Sequence, residues 1–205
     1  MNQIDPENRA FYQLSKNEIQ LVSSIIFSIQ KNYPVIELEA TDFELNSFDL
    51  FNNYDLLRVI QSLEIRGGGS TIELHFVQLS YLDKGIKHGS IRRVTLQAWG
   101  LKKLQMKSGH VLIRKEKWID TILEKFVPVE LDFESDQEFS KTFYVVAEDP
   151  KRAEVVLNSR FRNAAMTLEK DDFYLELKGK QVLIGDYKNV NLDSTEKLIR
   201  FLQSI

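Results

Sequence analysis

Residues 66–99 read RGGGSTIELHFVQLSYLDKGIKHGSIRRVTLQAW, and this stretch decides the fold class. Consecutive glycines admit backbone angles that other residues avoid, so Arg66-Gly67-Gly68-Gly69-Ser70 is a turn. Beyond it, Ile72 to Leu82 and Ile91 to Trp99 are rich in β-branched, aromatic and aliphatic residues. The segment Asp83 to Ser90 separates them, which predicts a hairpin with a long loop. In the second strand Val94, Leu96 and Ala98 share one face, while Arg93, Thr95 and Gln97 share the other. That alternation predicts one buried and one wet side.

Upstream, Ser15-Lys16-Asn17-Glu18 matches a capping box, and Ile19, Val22, Ile25, Ile26 and Ile29 follow at helical spacing. Tyr33-Pro34 ends this helix, because the residue before proline is pushed out of the α region. A short strand is expected at Val35 to Glu39. Thr41 to Tyr54 mixes aromatics with acids at no clear period and reads equally as a packed loop or an irregular helix.

Downstream, a turn at Ser108-Gly109 leads into a strand, His110 to Arg114, and then a short helix from Lys117 to Phe126 that buries Trp118 and Ile122. Pro128 marks a boundary. Past the acidic stretch Glu130 to Glu138 come a strand (Thr142 to Ala147), two helical pieces (Pro150 to Leu157 and Ser159 to Leu168) and a hairpin. The hairpin runs Phe173 to Lys178 and Gln181 to Tyr187. A closing helix has Asp193 as its expected N-cap and Leu198, Phe201, Leu202 and Ile205 as its apolar stripe. The whole predicts an α+β protein. Residues 1–126 form an N-terminal part with a mixed or antiparallel sheet and a basic β-rich segment. Residues 127–205 form a β-α-α-β-β-α C-terminal part, packed on the first because the connection is short and not Gly/Ser-rich.

The chain has 205 residues, a net charge of −3 and no cysteine. Disulfides, thiolate metal sites and cysteine nucleophiles are therefore excluded. No run of about 18 apolar residues predicts a membrane span, and the N-terminus does not read as a secretory signal, so the expected location is the cytoplasm. The modest net charge hides an asymmetry. Residues 1–65 carry 4 Lys/Arg against 10 Asp/Glu, residues 66–127 carry 12 against 5, and residues 128–205 carry 11 against 15. A basic middle lies between acidic flanks, which points to an anionic partner.

Four segments carry a resemblance. They are Ser47-Phe48-Asp49-Leu50-Phe51, the strand Arg93 to Leu101 ending in Trp99-Gly100-Leu101, Gly109 to Arg114, and Phe139 to Leu157, read as Phe-x-x-x-Phe-x-Val-x-x-x-Asp and a helix. Together they resemble a bacterial family of unknown function, many of whose members are membrane-anchored. The family's upstream transmembrane helices have no counterpart here. The resemblance implies a fold class and brings no activity with it.

Few chemistries find their residues. Arg66 to Thr71 lacks the spacing and lysine of a nucleotide-phosphate loop and leads into a strand, so it reads as a hairpin turn. His75, His88 and His110 lie far apart with no H-x-x-x-H pair, and no metal or other cofactor is expected. His88-Gly89-Ser90 sets a base beside a hydroxyl, but such partners usually meet from distant positions. Glu169, Asp171 and Asp172 form an acidic turn without calcium-loop spacing. The residues left as candidates for binding are Arg93, Lys102, Lys103, Lys107 and Arg114. If they share one exposed face, they form a cationic strip for an acidic protein or other anionic ligand. Nucleic acid and membrane are not the expected partners. The leading expectation is a non-enzymatic interaction or regulatory module. The alternative is an enzyme whose carboxylate-dependent site assembles only in the fold.

Overall fold

Ser15 accepts a hydrogen bond from the Glu18 N–H at 3.2 Å, and Glu18 accepts one from the Ser15 N–H at 2.8 Å. This capping box opens α1 (Lys16–Asn32), which ends at Tyr33 in extended geometry. The computed structural model describes residues 13–40, 45–86, 89–115 and 129–205, without the side chains of 83–86, 89 and 90. The expected helix at 117–126 with Trp118 and Ile122, the boundary at Pro128 and the His88 pairing lie outside the described residues. Val22, Ile25 and Ile29 of α1 are buried, but Ile19 is exposed, so the buried stripe is narrower than the spacing predicts.

A short strand, β1 (Val35–Leu38), precedes two 3-10 turns at Leu45–Ser47 and Asp49–Phe51. Three long strands follow, β2 (Leu56–Gly67), β3 (Ser70–Ile86) and β4 (Gly89–Lys103). Gly68 and Gly69 have φ of 58° and 77°, the positive values that a two-residue hairpin turn requires at both central positions. Next come β5 (His110–Lys115), β6 (Val129–Glu130) and a one-and-a-half-turn helix, α2 (Gln137–Thr142). The tail is β7 (Phe143–Ala147), α3 (Pro150–Val156), α4 (Ser159–Met166), β8 (Phe173–Lys178), β9 (Gln181–Asp186) and α5 (Leu192–Ser204). From β7 onward this is the expected β-α-α-β-β-α order, while β6 and α2, which precede it, have no counterpart in the expectation for residues 127–205. One detail differs: Asn191, not Asp193, caps α5 by accepting from the Ser194 N–H at 2.9 Å. The helix begins earlier than expected, which leaves Asp193 in its first turn, where a carboxylate complements the dipole.

The nine strands among the described residues join one antiparallel sheet in the order β1-β2-β3-β4-β9-β8-β5-β7-β6. Both parts of the chain contribute, since β9 pairs with β4 and β5 lies between β8 and β7. One face carries the main core, where Ile25 and Ile29 of α1, Phe161 of α4 and Leu198, Phe201 and Leu202 of α5 meet Leu74, Phe76 and Ala98. The opposite face carries a second core in which Leu45, Phe48, Leu50 and Phe51 of the 3-10 segment cover Val77, Leu79, Trp99 and Leu183. The Trp99 indole lies over Gly185, its register partner, and meets Phe51 edge-on at 4.7 Å between centroids.

This second core corrects the expectation of a wet side on β4. Gln97 is only 1% exposed, donates to the Tyr187 carbonyl at 3.0 Å and accepts from Trp99 Nε1 at 3.0 Å. The predicted exposure holds at the start of the strand, at Arg93, where the covering segment does not reach. Phe48, Phe51 and Tyr54 of the unpatterned stretch supply that cover, and the irregular backbone of residues 45–54 hides the role from periodicity.

Candidate functional site

The five basic candidates divide among four places. Arg93 is exposed near the start of β4, opposite Tyr81 in register. Arg114, on β5, sets its guanidinium 5.0 Å from the centre of the Tyr144 ring. Lys107 is exposed in the segment after β4. Lys102 and Lys103 end β4, and Lys102 turns to the helix side of the sheet. There its Nζ donates to the Leu202 carbonyl at 2.7 Å and the Ile205 carbonyl at 2.8 Å. These are unfilled carbonyls at the end of α5, so Lys102 acts as a C-terminal helix cap. The five residues therefore form no single strip.

Two of them instead share a cleft of about 540 Å³. Its walls are the Gly68–Thr71 hairpin turn, Lys102 to Met106, the end of α3 with the start of α4, and the end of α5. Arg160 of α4 lines it too and donates from Nε to the Ser204 carbonyl at 2.6 Å. No aspartate or glutamate lines this cleft among the described residues. Burial, with the like charge of Arg160, holds the Lys102 ammonium below the ordinary lysine pKa. The Lys103 side chain forms no ion pair or hydrogen bond among the described residues. Gln203 Nε2 is buried beside the cleft without an acceptor. The sequence pointed to Lys102 and Lys103 through local charge density. Arg160 and Gln203 carry no such signal, because only the packing of α4 and α5 brings them to β4.

A second cluster assembles on the opposite face. His110 Nε2 lies 2.8 Å from Glu176 Oε1 and 3.7 Å from Asp49 Oδ2, so one of the scattered histidines does converge with two carboxylates. Glu176 is fully buried, and its oxygens accept from the backbone N–H groups of Asp49 at 3.0 Å and Leu50 at 2.9 Å. Lys178 Nζ stands 3.3 Å from Asp49 Oδ1 and donates to the Ser47 carbonyl at 2.7 Å. His110, Asp49 and Glu176 are close enough to share a cation. Their hydrogen bonding does not suit one. At 2.8 Å from an ionised carboxylate oxygen Nε2 is a donor and offers no lone pair, and the imidazole with the Asp49 and Leu50 amides takes three of the roughly four acceptor sites of Glu176. A lysine ammonium at Asp49 opposes a second positive charge. The cluster instead ties the 3-10 segment to the sheet.

The acidic turn before β8 is neutralised rather than open. Asp171 meets Lys197 at 3.0 Å, and Asp172 meets Lys188 at 2.9 Å. Tyr54, Tyr81, Tyr174 and Tyr187 gather on the second face, and burial pushes Tyr54 and Tyr187 up and Tyr174 up to about 12. Phenols so shifted remain protonated near neutral pH and do not serve as bases there.

No family model matches the chain, and no curated protein matches it. Among solved structures, the chain is similar to the crystal structure of the mycobacterial trehalose monomycolate transport factor A. The two superpose with a TM-score of 0.59 over 93% of each chain, at 8% sequence identity. The likeness establishes a shared fold. No helix among the described residues is long and apolar enough to cross a membrane.

Proposed function

We propose that this protein is a non-enzymatic binding module that holds an acidic ligand in the cleft between the end of β4, the Gly68–Thr71 turn and helices α4 and α5. One observation carries the reading: Lys102, Lys103 and Arg160 line one cleft that no described aspartate or glutamate side chain lines. Two of these cations are fastened to the carbonyls ending α5, so their charges are held in place before a ligand arrives. Such preorganisation lowers the ordering cost of binding. The shared fold with a protein named for transport is compatible with a carrier or adaptor role. The fold likeness itself does not identify a ligand.

The test is a titration of the 15N-labelled protein with inorganic phosphate and with hexaglutamate, followed by NMR. Shifts confined to Gly68–Thr71 and Lys102–Met106, weakening as salt rises, are the expected result. Lys103→Glu removes an exposed side-chain cation without a described partner and should weaken them while leaving the fold intact. Shifts centred on Arg93 and Arg114, or none for either probe, would refute the assignment.

A further inference from the structure

The cleft is not uniformly polar. Leu104 and Met106 follow Lys102 and Lys103 directly along the chain, and Val156, Phe161 and Ile205 join them in the lining. Met106 is 51% exposed. At about 540 Å³ the space lies in the range of small-molecule pockets and is far larger than a bare inorganic anion needs. A bare anion would engage the cations but leave Met106 and Leu104 in water. An acidic peptide would likewise engage the cations and leave the apolar lining without a partner.

We infer that the ligand is an anionic amphiphile, with a phosphate or carboxylate head held by Lys102, Lys103 and Arg160 and an apolar chain laid against Leu104 and Met106. This rests on the anionic-ligand reading above and adds the apolar half. Methionine suits the second task, because its unbranched thioether side chain adapts to an apolar partner of variable shape. The head group makes charge-assisted hydrogen bonds, and the chain removes Met106 from water.

The experiment is a binding series below the micellar concentration, using calorimetry on the full chain. Its probes are inorganic phosphate, butyl, hexyl and octyl phosphate, octanoate, and octyl glucoside as an uncharged control. Affinity should rise with chain length by up to about three- to fourfold per buried methylene. Octyl phosphate and octanoate separate the two head groups, and binding of either supports the inference. Labelling the methionine methyl groups gives a direct readout, since the Met106 resonance should move with the alkyl members and stay still with phosphate. Met106→Asn should flatten the chain-length dependence while leaving phosphate binding unchanged. Its thermal melt should match the parent, because the side chain is exposed. Lys103→Glu should weaken every charged member alike. If phosphate and octyl phosphate bind equally, the amphiphile inference fails while the anion reading stands. If octyl glucoside binds as tightly as octyl phosphate, the head group is not read, and the inference fails with it. If nothing binds, both fail together.

Discussion

His75 shows what burial does to a single titratable side chain. It sits on β3, 5% exposed, with Nδ1 2.9 Å from Ser62 Oγ and Nε2 without a hydrogen-bond partner. The nearest carboxylate, of Glu73, is 3.7 Å away. Burial dominates and lowers the His75 pKa from 6.5 to about 4. The unfolded chain therefore takes up a proton as pH falls through 6.5, whereas the folded chain refuses it until about pH 4. Stability contributed by this site is present above pH 6.5 and is lost as pH falls toward 4. The interval corresponds to roughly 3 kcal/mol. Urea denaturation of the parent and His75→Gln at pH 7 and pH 4.5 measures it. The stability difference between the two proteins should shift toward the variant by about 2–3 kcal/mol on acidification. A difference independent of pH would show that His75 titrates normally in the fold. A second residue-scale outcome follows from Gly185, where an added Cβ would collide with the Trp99 indole. Gly185→Ala should cost about 1–3 kcal/mol in the same denaturation assay, as overpacking does in a filled core. Neither site was legible beforehand. Sequence spacing says nothing of the burial of His75, and a glycine opposite a tryptophan becomes visible only once strands are in register.

At the scale of elements, the two lysines ending β4 separate a structural role from a surface one. Lys102 caps α5, whereas the Lys103 side chain is exposed and has no described partner. Charge reversal at Lys102 places a carboxylate against the negative end of a helix and removes two hydrogen bonds. Lys102→Glu should therefore cost about 1–2 kcal/mol. Lys103→Glu should stay within about half a kcal/mol of the parent. Thermal melts of the two variants side by side measure this, and equal effects would mean that the cap contributes nothing. The 3-10 segment gives the companion case. Its attachment runs through Glu176, which is fully buried and bonded to two of its amides and to His110. Glu176→Ala should destabilise by about 3–5 kcal/mol in urea, because it strands a histidine and two amides in the interior. A loss below about 1 kcal/mol would show that the segment is held by its aromatics alone. Elements with a local signal were legible: the capping box of α1, the glycine turn and the whole tail from β7 to α5. β2 was not, because Leu56 to Gly67 mixes charged and apolar residues around an irregularity between Val59 and Gln61 that interrupts the alternation.

The strand order belongs to the whole molecule and was the least legible feature. Local patterns predict which residues form strands, but nothing in them says that β9 returns to pair with β4, or that β5 enters the tail between β8 and β7. The cleft inherits this difficulty, since Lys102 and Lys103 reach Arg160 and Gln203 only through that pairing and the docking of α5. The same topology bears on how the molecule unfolds. Separating residues 1–126 from 127–205 would open β4 along the edge that β9 covers and would remove α5 from the core it shares with β3 and β4. It would also take β5 out from between β8 and β7, leaving two further edges and the tail's own core open. Neither part keeps a complete sheet, so the expansion of one should be coupled to that of the other. The expected outcome is a single urea transition, coincident by far-ultraviolet dichroism and by fluorescence of Trp99, which lies at the β4–β9 junction. Trp118→Phe confines the tryptophan signal to that junction, since the chain holds two tryptophans. A fragment of residues 127–205 should show no cooperative melt by itself. Two separated transitions, or a fragment that melts cooperatively, would mean that the tail is stable without β5 and that the sheet joins two independent folding units.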